Sequence, residues 1–95
     1  MHTSALFLDR DGTLIEDVGY LSDIQDIRFI PGVFDALRTI QKKYTLFIVS
    51  NQSGIAKGLL TWDQVDEVNR HINTILQKEG IRIREWYICP HGRED

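Results

Sequence analysis

Four apolar residues, Ala5 to Leu8, run directly into Asp9-Arg10-Asp11-Gly12-Thr13, and no other stretch limits the possible folds as tightly. The apolar run reads as a buried parallel strand, apolar towards both faces. Asp-x-Asp at its carboxyl end sets two acids in the crevice where open α/β sheets bind ligands. Gly12 lets the backbone turn there, leaving its own amide and that of Thr13 free to approach an anion. The pattern predicts a metal-dependent, phosphate-handling site. The plainer alternative is an acidic turn after a core strand, since Asp-Gly is common turn chemistry.

The chain downstream repeats the same logic. Residues Leu14 to Asp23 have no helical period and read as a loop or small flap over the mouth of the first strand. Ile27 to Ile30 reads as a short extended piece, and Pro31 suits the first turn of a helix. Val33, Phe34, Leu37 and Ile40 form one apolar stripe at helical spacing through Lys43, with Lys42 and Lys43 favourable at the negative end of the dipole. Tyr44 to Val49 is a second strand, rich in β-branched and aromatic residues, and it too ends in a polar cluster, Ser50-Asn51-Gln52-Ser53-Gly54. Ile55 to Leu60 reads as a connection with room for one helical turn. Thr61-Trp62-Asp63-Gln64 is a capping box, and Val65, Val68, Ile72, Ile75 and Leu76 continue a helix that Gly80 ends. His71 lies beside that stripe and reads as a surface residue. Ile81 to Ile88 is a third strand region, followed by Cys89-Pro90-His91. The order is βαβαβ, one mononucleotide-binding-like half of a doubly wound sheet.

Size and composition narrow the function classes. Ninety-five residues make at most one small domain. A net charge of -3 with scattered basic residues argues against nucleic-acid binding. The longest apolar runs are too short to span a bilayer, and the first strand begins too early to leave room for a signal peptide. A lone cysteine excludes an internal disulfide and fits a reducing cytoplasm. His2 reads as a solvated terminal residue.

Phe7-Leu8-Asp9-Arg10-Asp11-Gly12-Thr13, taken with Val49-Ser50-Asn51-Gln52-Ser53-Gly54-Ile55-Ala56-Lys57-Gly58, resembles the haloacid dehalogenase-like phosphatases. Within them it is similar to the small capless branch that includes heptose-bisphosphate and histidinol-phosphate phosphatases. Asp17, Gly19 and Tyr20, Pro31-Gly32, and Cys89-Pro90-His91 support the match, which runs from about Ala5 to His91. The resemblance implies a Rossmann-like parallel-sheet core of which residues 1–95 form a single, incomplete domain, the βαβαβ half with the later strands absent. It implies Asp9 as nucleophile, Asp11 as general acid and then base, and Ser50 as a hydroxyl donor to a phosphoryl oxygen. It also implies Mg²⁺ held by Asp9 and the carbonyl of Asp11, with Asp17, Gly19, Tyr20, Asn51, Gln52 and Ser53 lining the substrate pocket. A cation is physically required: two like charges about 4 Å apart at an effective dielectric near 20 repel by about 4 kcal/mol, and a carboxylate meets that more than once against a phosphate dianion.

The chain also departs from that pattern. The family places a phosphate-binding lysine after the third strand and an acid after a fourth, and no lysine follows Tyr87. Lys57 matches a basic position inside the second motif rather than that lysine, and Glu94 and Asp95 follow no apolar strand. Cys89 and His91 resemble half of a four-ligand zinc site, but two ligands do not close a tetrahedral shell. An exposed strand-end turn accounts for them equally well. Right-handed crossovers put both helices, 32–43 and 61–78, on one face of a 3-2-1 sheet, leaving an uncovered apolar face and strand one at an open edge. The expectation is self-association or a longer protein with a C-terminal half.

The leading expectation is a Mg²⁺-dependent phosphomonoesterase acting on a small phosphorylated metabolite, a heptose bisphosphate before histidinol phosphate. The alternatives are a truncated, non-catalytic fragment that binds phosphate or a partner, and a phosphotransferase or receiver-like phosphoacceptor. The second acid of Asp-x-Asp argues for hydrolysis over the last, because it can activate water.

Overall fold

The computed structural model describes residues 4–91, so that His2, Glu94 and Asp95 lie outside the described residues. Strands β1 (Ala5–Asp9), β2 (Thr45–Asn51) and β3 (Ile83–Cys89) pair in parallel in the order β1-β2-β3. The first strand is therefore an edge, as the topology rules require. Helices α1 (Val33–Ile40), α2 (Ser53–Ala56) and α3 (Trp62–Lys78) fill the connections.

The core lies on one side of this sheet. Leu46 and Ile48 of β2, with Leu6 and Leu8 of β1 and Trp86 of β3, pack against Val33 and Leu37 of α1 and Val68, Ile72 and Leu76 of α3. Successive side chains on a strand alternate faces, so the other face presents Phe7, Phe47 and Tyr87. Their rings gather, with Phe7 and Phe47 stacked at 4.8 Å between centroids and Tyr87 at 6.1 Å from Phe47. Phe7 is 56% exposed. The first strand is thus apolar on both faces but covered on only one, because both long helices lie on the same side.

Local chemistry explains where the elements begin and end. The capping box of α3 forms in full: Gln64 N–H donates to the Thr61 hydroxyl at 3.1 Å, and Thr61 N–H donates to the Gln64 side chain at 2.9 Å. Helix α1 begins at Val33 rather than Pro31, because Gly32 occupies the cap position with φ of 82°. It also ends at Ile40, so Lys42 and Lys43 stand in the turn beyond it and Arg38 is the basic residue of its last turn. Arg38 reaches the Glu79 carboxylate and donates to the Glu79 carbonyl at 2.7 Å, tying α1 to the end of α3.

The stretch after β1 is a loop, as its lack of period predicts, but it is anchored. Leu14, Ile15 and Leu21 are buried in the core, and Ile15 bridges Phe29. That bridge is all that forms of the extended piece at Ile27 to Ile30, which a 3₁₀ turn at Ile24–Asp26 precedes. The β2–β3 ladder carries one irregularity: Leu46 pairs with Ile83 and Phe47 with Glu85, so Arg84 is an extra residue. No helix among the described residues is long and apolar enough to cross a membrane.

Candidate active site

The carboxyl ends of β1 and β2 adjoin, since Asp9 pairs with Val49. A cleft of about 380 Å³ opens there, lined by Asp9, Arg10, Asp11, Asp17, Gly19, Tyr20, Val49, Asn51, Gln52 and Ser53. Three separate stretches of sequence supply these residues: the end of β1, the flap, and the end of β2. Of the residues singled out from sequence, all but Ser50, Cys89 and His91 line this cleft. A second depression, about 540 Å³, lies on the open sheet face between Phe47, Arg84, Glu85 and Tyr87. It contains none of those residues and lies at the opposite end of β1, beside Ser4 and Ala5.

Strand alternation sorts the polar residues. Asp9 follows Ala5 and Phe7 on the open side, where it is exposed and its carboxylate takes part in no hydrogen bond or ion pair among the described residues. Arg10 follows Leu6 and Leu8 to the helix side and is fully buried. Its guanidinium returns to Asp11, donating from Nε and Nη2 to Oδ1 at 3.2 and 3.0 Å and from Nη2 to Oδ2 at 3.1 Å. On β2, Ser50 follows Leu46 and Ile48 to the helix side and is fully buried behind the cleft wall. Gln52 Nε2 joins the two acidic and hydroxylic elements, donating to Ser50 Oγ at 2.7 Å and to Asp11 Oδ2 at 3.2 Å.

The turn after Asp11 differs from its expected form. Gly12, at φ of 85°, does turn the chain, but its amide donates to the Ile15 carbonyl at 2.8 Å and is not free for an anion. On the flap, Asp17 accepts from Gly19 N–H at 3.0 Å, which closes a local turn and presents Tyr20 to the cleft. A Cβ on Gly54 would stand 2.7 Å from Tyr20 Cδ1, so only glycine lets the flap ring settle on α2. Lys57 donates to the Tyr20 hydroxyl at 3.3 Å from outside the cleft lining.

Metal fitting gives two different results. Mg²⁺ takes octahedral oxygen donors, keeps several waters, and is held through one or two carboxylates plus substrate phosphate. The uncommitted Asp9 carboxylate beside the Asp11 backbone suits that description. Cys89 is exposed at the end of β3 with His91 two residues on, and no group of three or more His, Cys, Asp or Glu able to hold a metal occurs among the described residues. Such a pair does not fit a closed zinc site.

Two residues of this network are invisible to motif reading, Arg10 and Asn69. Asn69 lies on α3 between Val68 and Ile72, is buried, and accepts from Arg10 Nη1 at 3.0 Å. The signals were present in the sequence: an arginine at an inward strand position, and an asparagine four residues after Val65 on the apolar stripe.

No protein-family model matches the chain. It is 44% identical over 91 residues to the D-glycero-beta-D-manno-heptose-1,7-bisphosphate 7-phosphatase of Haemophilus influenzae, a match that takes in 95% of this chain and 50% of that protein. Among solved structures, the D,D-heptose 1,7-bisphosphate phosphatase of B. bronchiseptica, crystallised with magnesium and phosphate, superposes with a TM-score of 0.84. It is 27% identical, over 98% of this chain and 53% of that one. A protein of Mesorhizobium loti described as a HAD-like phosphatase also superposes at 0.84, with 37% identity over 93% of this chain and 43% of that one. The chain is homologous to these haloacid dehalogenase-like phosphatases, and it spans about half the length of the curated relatives it matches.

Proposed function

We propose that this chain, with its homology to the haloacid dehalogenase-like phosphatases as premise, carries the nucleophile side of a Mg²⁺-dependent phosphomonoesterase. Its substrate is a small phosphorylated metabolite, with D-glycero-D-manno-heptose 1,7-bisphosphate first and the 7-phosphate as the group removed. The observation that supports this is the cleft itself, in which an unengaged carboxylate and a restrained one stand together beneath a flap. The naming of curated relatives for the heptose bisphosphate reaction adds to it.

In this reading an Asp9 oxygen attacks phosphorus and the bond to the leaving oxygen breaks, while Asp11 gives that oxygen a proton. Water then attacks the phosphorus of the aspartyl-phosphate, passes its proton to Asp11, and releases phosphate with Asp9 restored. Gln52, fixed to Ser50 and Asp11, borders the phosphate, and Ser50 supports it from behind. Asp17, Gly19, Tyr20, Asn51 and Ser53 form the remaining wall and exclude water when sugar is bound. Mg²⁺ would be held by the Asp9 carboxylate and the Asp11 carbonyl, and supplies the positive charge that lets a carboxylate approach a phosphate dianion. This reading assigns the chain to carbohydrate metabolism in the cytoplasm, where Cys89 stays reduced.

Phosphate release from heptose 1,7-bisphosphate, compared with release from histidinol phosphate, separates the two candidate substrates: faster release from the first supports this reading, and faster release from the second replaces it. Equal turnover by Asp9→Asn would remove Asp9 as the nucleophile. A second reading is a phosphate-binding module without turnover, which the same cleft would also serve. It predicts Mg²⁺-dependent phosphate binding in calorimetry with no release from any ester. We further propose that the uncovered sheet face and the β1 edge meet another polypeptide, a second copy or a C-terminal half, because Phe7 and Tyr87 are exposed there and Phe47 between them is only half-buried.

A further inference from the structure

Arg10 sits between the two acids of the motif, yet strand alternation turns it away from them and into the core. A fully buried guanidinium is tolerated only when its donors are taken up, and here both ends of the group are occupied. One end makes three contacts with the Asp11 carboxylate, and Nη1 donates to Asn69 Oδ1 at 3.0 Å. The backbone is pinned as well: Arg10 N–H donates to the Val49 carbonyl, and its own carbonyl accepts from Leu14 and Ile15. Asn69 in turn belongs to the most firmly packed helix of the molecule, with Val65, Val68, Ile72 and Leu76 buried around it.

Asn69 carries a second clue. Its Nδ2 is the only buried side-chain polar atom among the described residues without a partner. An asparagine that leaves a buried donor unsatisfied is a poor core residue, so what it contributes is the carbonyl oxygen it offers to Arg10. Asp9 receives no such restraint, while Asp11 is held from one side by Arg10 and from the other by Gln52.

We propose that Arg10, anchored from α3 by Asn69, is the positioning residue for Asp11, setting where that carboxylate stands when it gives and takes protons. The proposal rests on the reading of Asp11 as acid and base. Displacing a proton donor by an ångström is enough to slow transfer by about 100-fold.

The test uses the full chain and the variants Arg10→Lys and Asn69→Leu. A lysine keeps the charge but cannot bond Asp11 and Asn69 together, and a leucine removes the acceptor while keeping the same branched shape. The first chemical step is followed in single turnover with two esters. One is a sugar phosphate, whose alkoxide needs a proton to leave. The other is p-nitrophenyl phosphate, whose leaving group does not. Both variants should slow the sugar phosphate by about 100-fold and the aryl ester by less than about threefold, with KM almost unchanged. Equal losses on both esters would mean a merely structural role and overturn the proposal. If the wild-type chain releases phosphate from neither ester, the phosphatase reading fails and NMR decides the positioning role. Asn69→Leu should then shift the Asp11 side-chain carboxyl ¹³C resonance and expose the Arg10 Nε–H to exchange. Unchanged signals would overturn it, and Arg10→Lys gives the same carboxyl readout should the leucine variant fail to fold.

Discussion

The two faces of the sheet are made from the same three strands, yet they differ in everything but backbone. On the covered face Leu46 and Ile48 are buried beneath α1 and α3, and each strand line ends in a buried polar residue, Arg10 on β1 and Ser50 on β2. On the open face Phe7 and Tyr87 are exposed on either side of a half-buried Phe47, and the same two lines end in Asp9 and Asn51, both exposed in the cleft. The period of two that divides apolar side chains between core and water therefore divides the site as well. One parity supplies the proposed nucleophile; the other supplies the struts beneath it. The cleft is where the two sets meet, and Asp11 with Gln52 is the junction.

Substitutions that respect this division should separate activity from stability. Asp9→Asn should have the largest effect of all, reducing phosphate release below about a thousandth of the wild-type rate. Stability in urea should change by less than about 0.5 kcal/mol, since the carboxylate is exposed and unbonded. A comparable loss of stability would break the parity argument at its sharpest point.

Ile48→Ala, at full burial on the covered face, should cost about 2–5 kcal/mol in the same titration. Asp11→Ala is the informative case, because a residue of the cleft also neutralises a buried arginine; its loss should destabilise by about 3 kcal/mol. If that variant proved as stable as the parent, Arg10 would have another partner and the junction would be misplaced. Phe7→Ser on the open face should have the smallest effect on folding, about 1 kcal/mol from the lost ring stacking. It should instead lower the sedimentation coefficient at high concentration. A parent chain that sediments as a single monomer throughout would remove the case for a second copy as the covering partner.

Much of this arrangement was legible in the sequence because it follows from short-range rules. The apolar runs gave three strands, right-handed crossovers gave their order, and Thr61 with Gln64 marked the start of α3. The flap residues and the Ser50 cluster came to one cleft because both follow strand ends. What escaped depends on three-dimensional satisfaction of polar groups. Gly12 carries an amide that the motif leaves free, but the turn it permits brings the Ile15 carbonyl within reach. Pro31-Gly32 placed the start of the helix at residue 32, but the left-handed conformation of Gly32 delays α1 to Val33. Arg10 has no role in the motif itself, since nothing local in the sequence connects it to an asparagine fifty-nine positions away.

The extra residue at Arg84 has a consequence for how this chain can vary. Every other position in β3 is phase-locked: adding or losing one residue there would exchange Trp86 for Tyr87 on the helix side and turn the strand inside out. Arg84 alone stands outside the count, opposite no residue of β2. The strand can therefore shed that one amino acid and keep Ile83 on Leu46 and Glu85 on Phe47. Length polymorphism within this strand should collect at that single place.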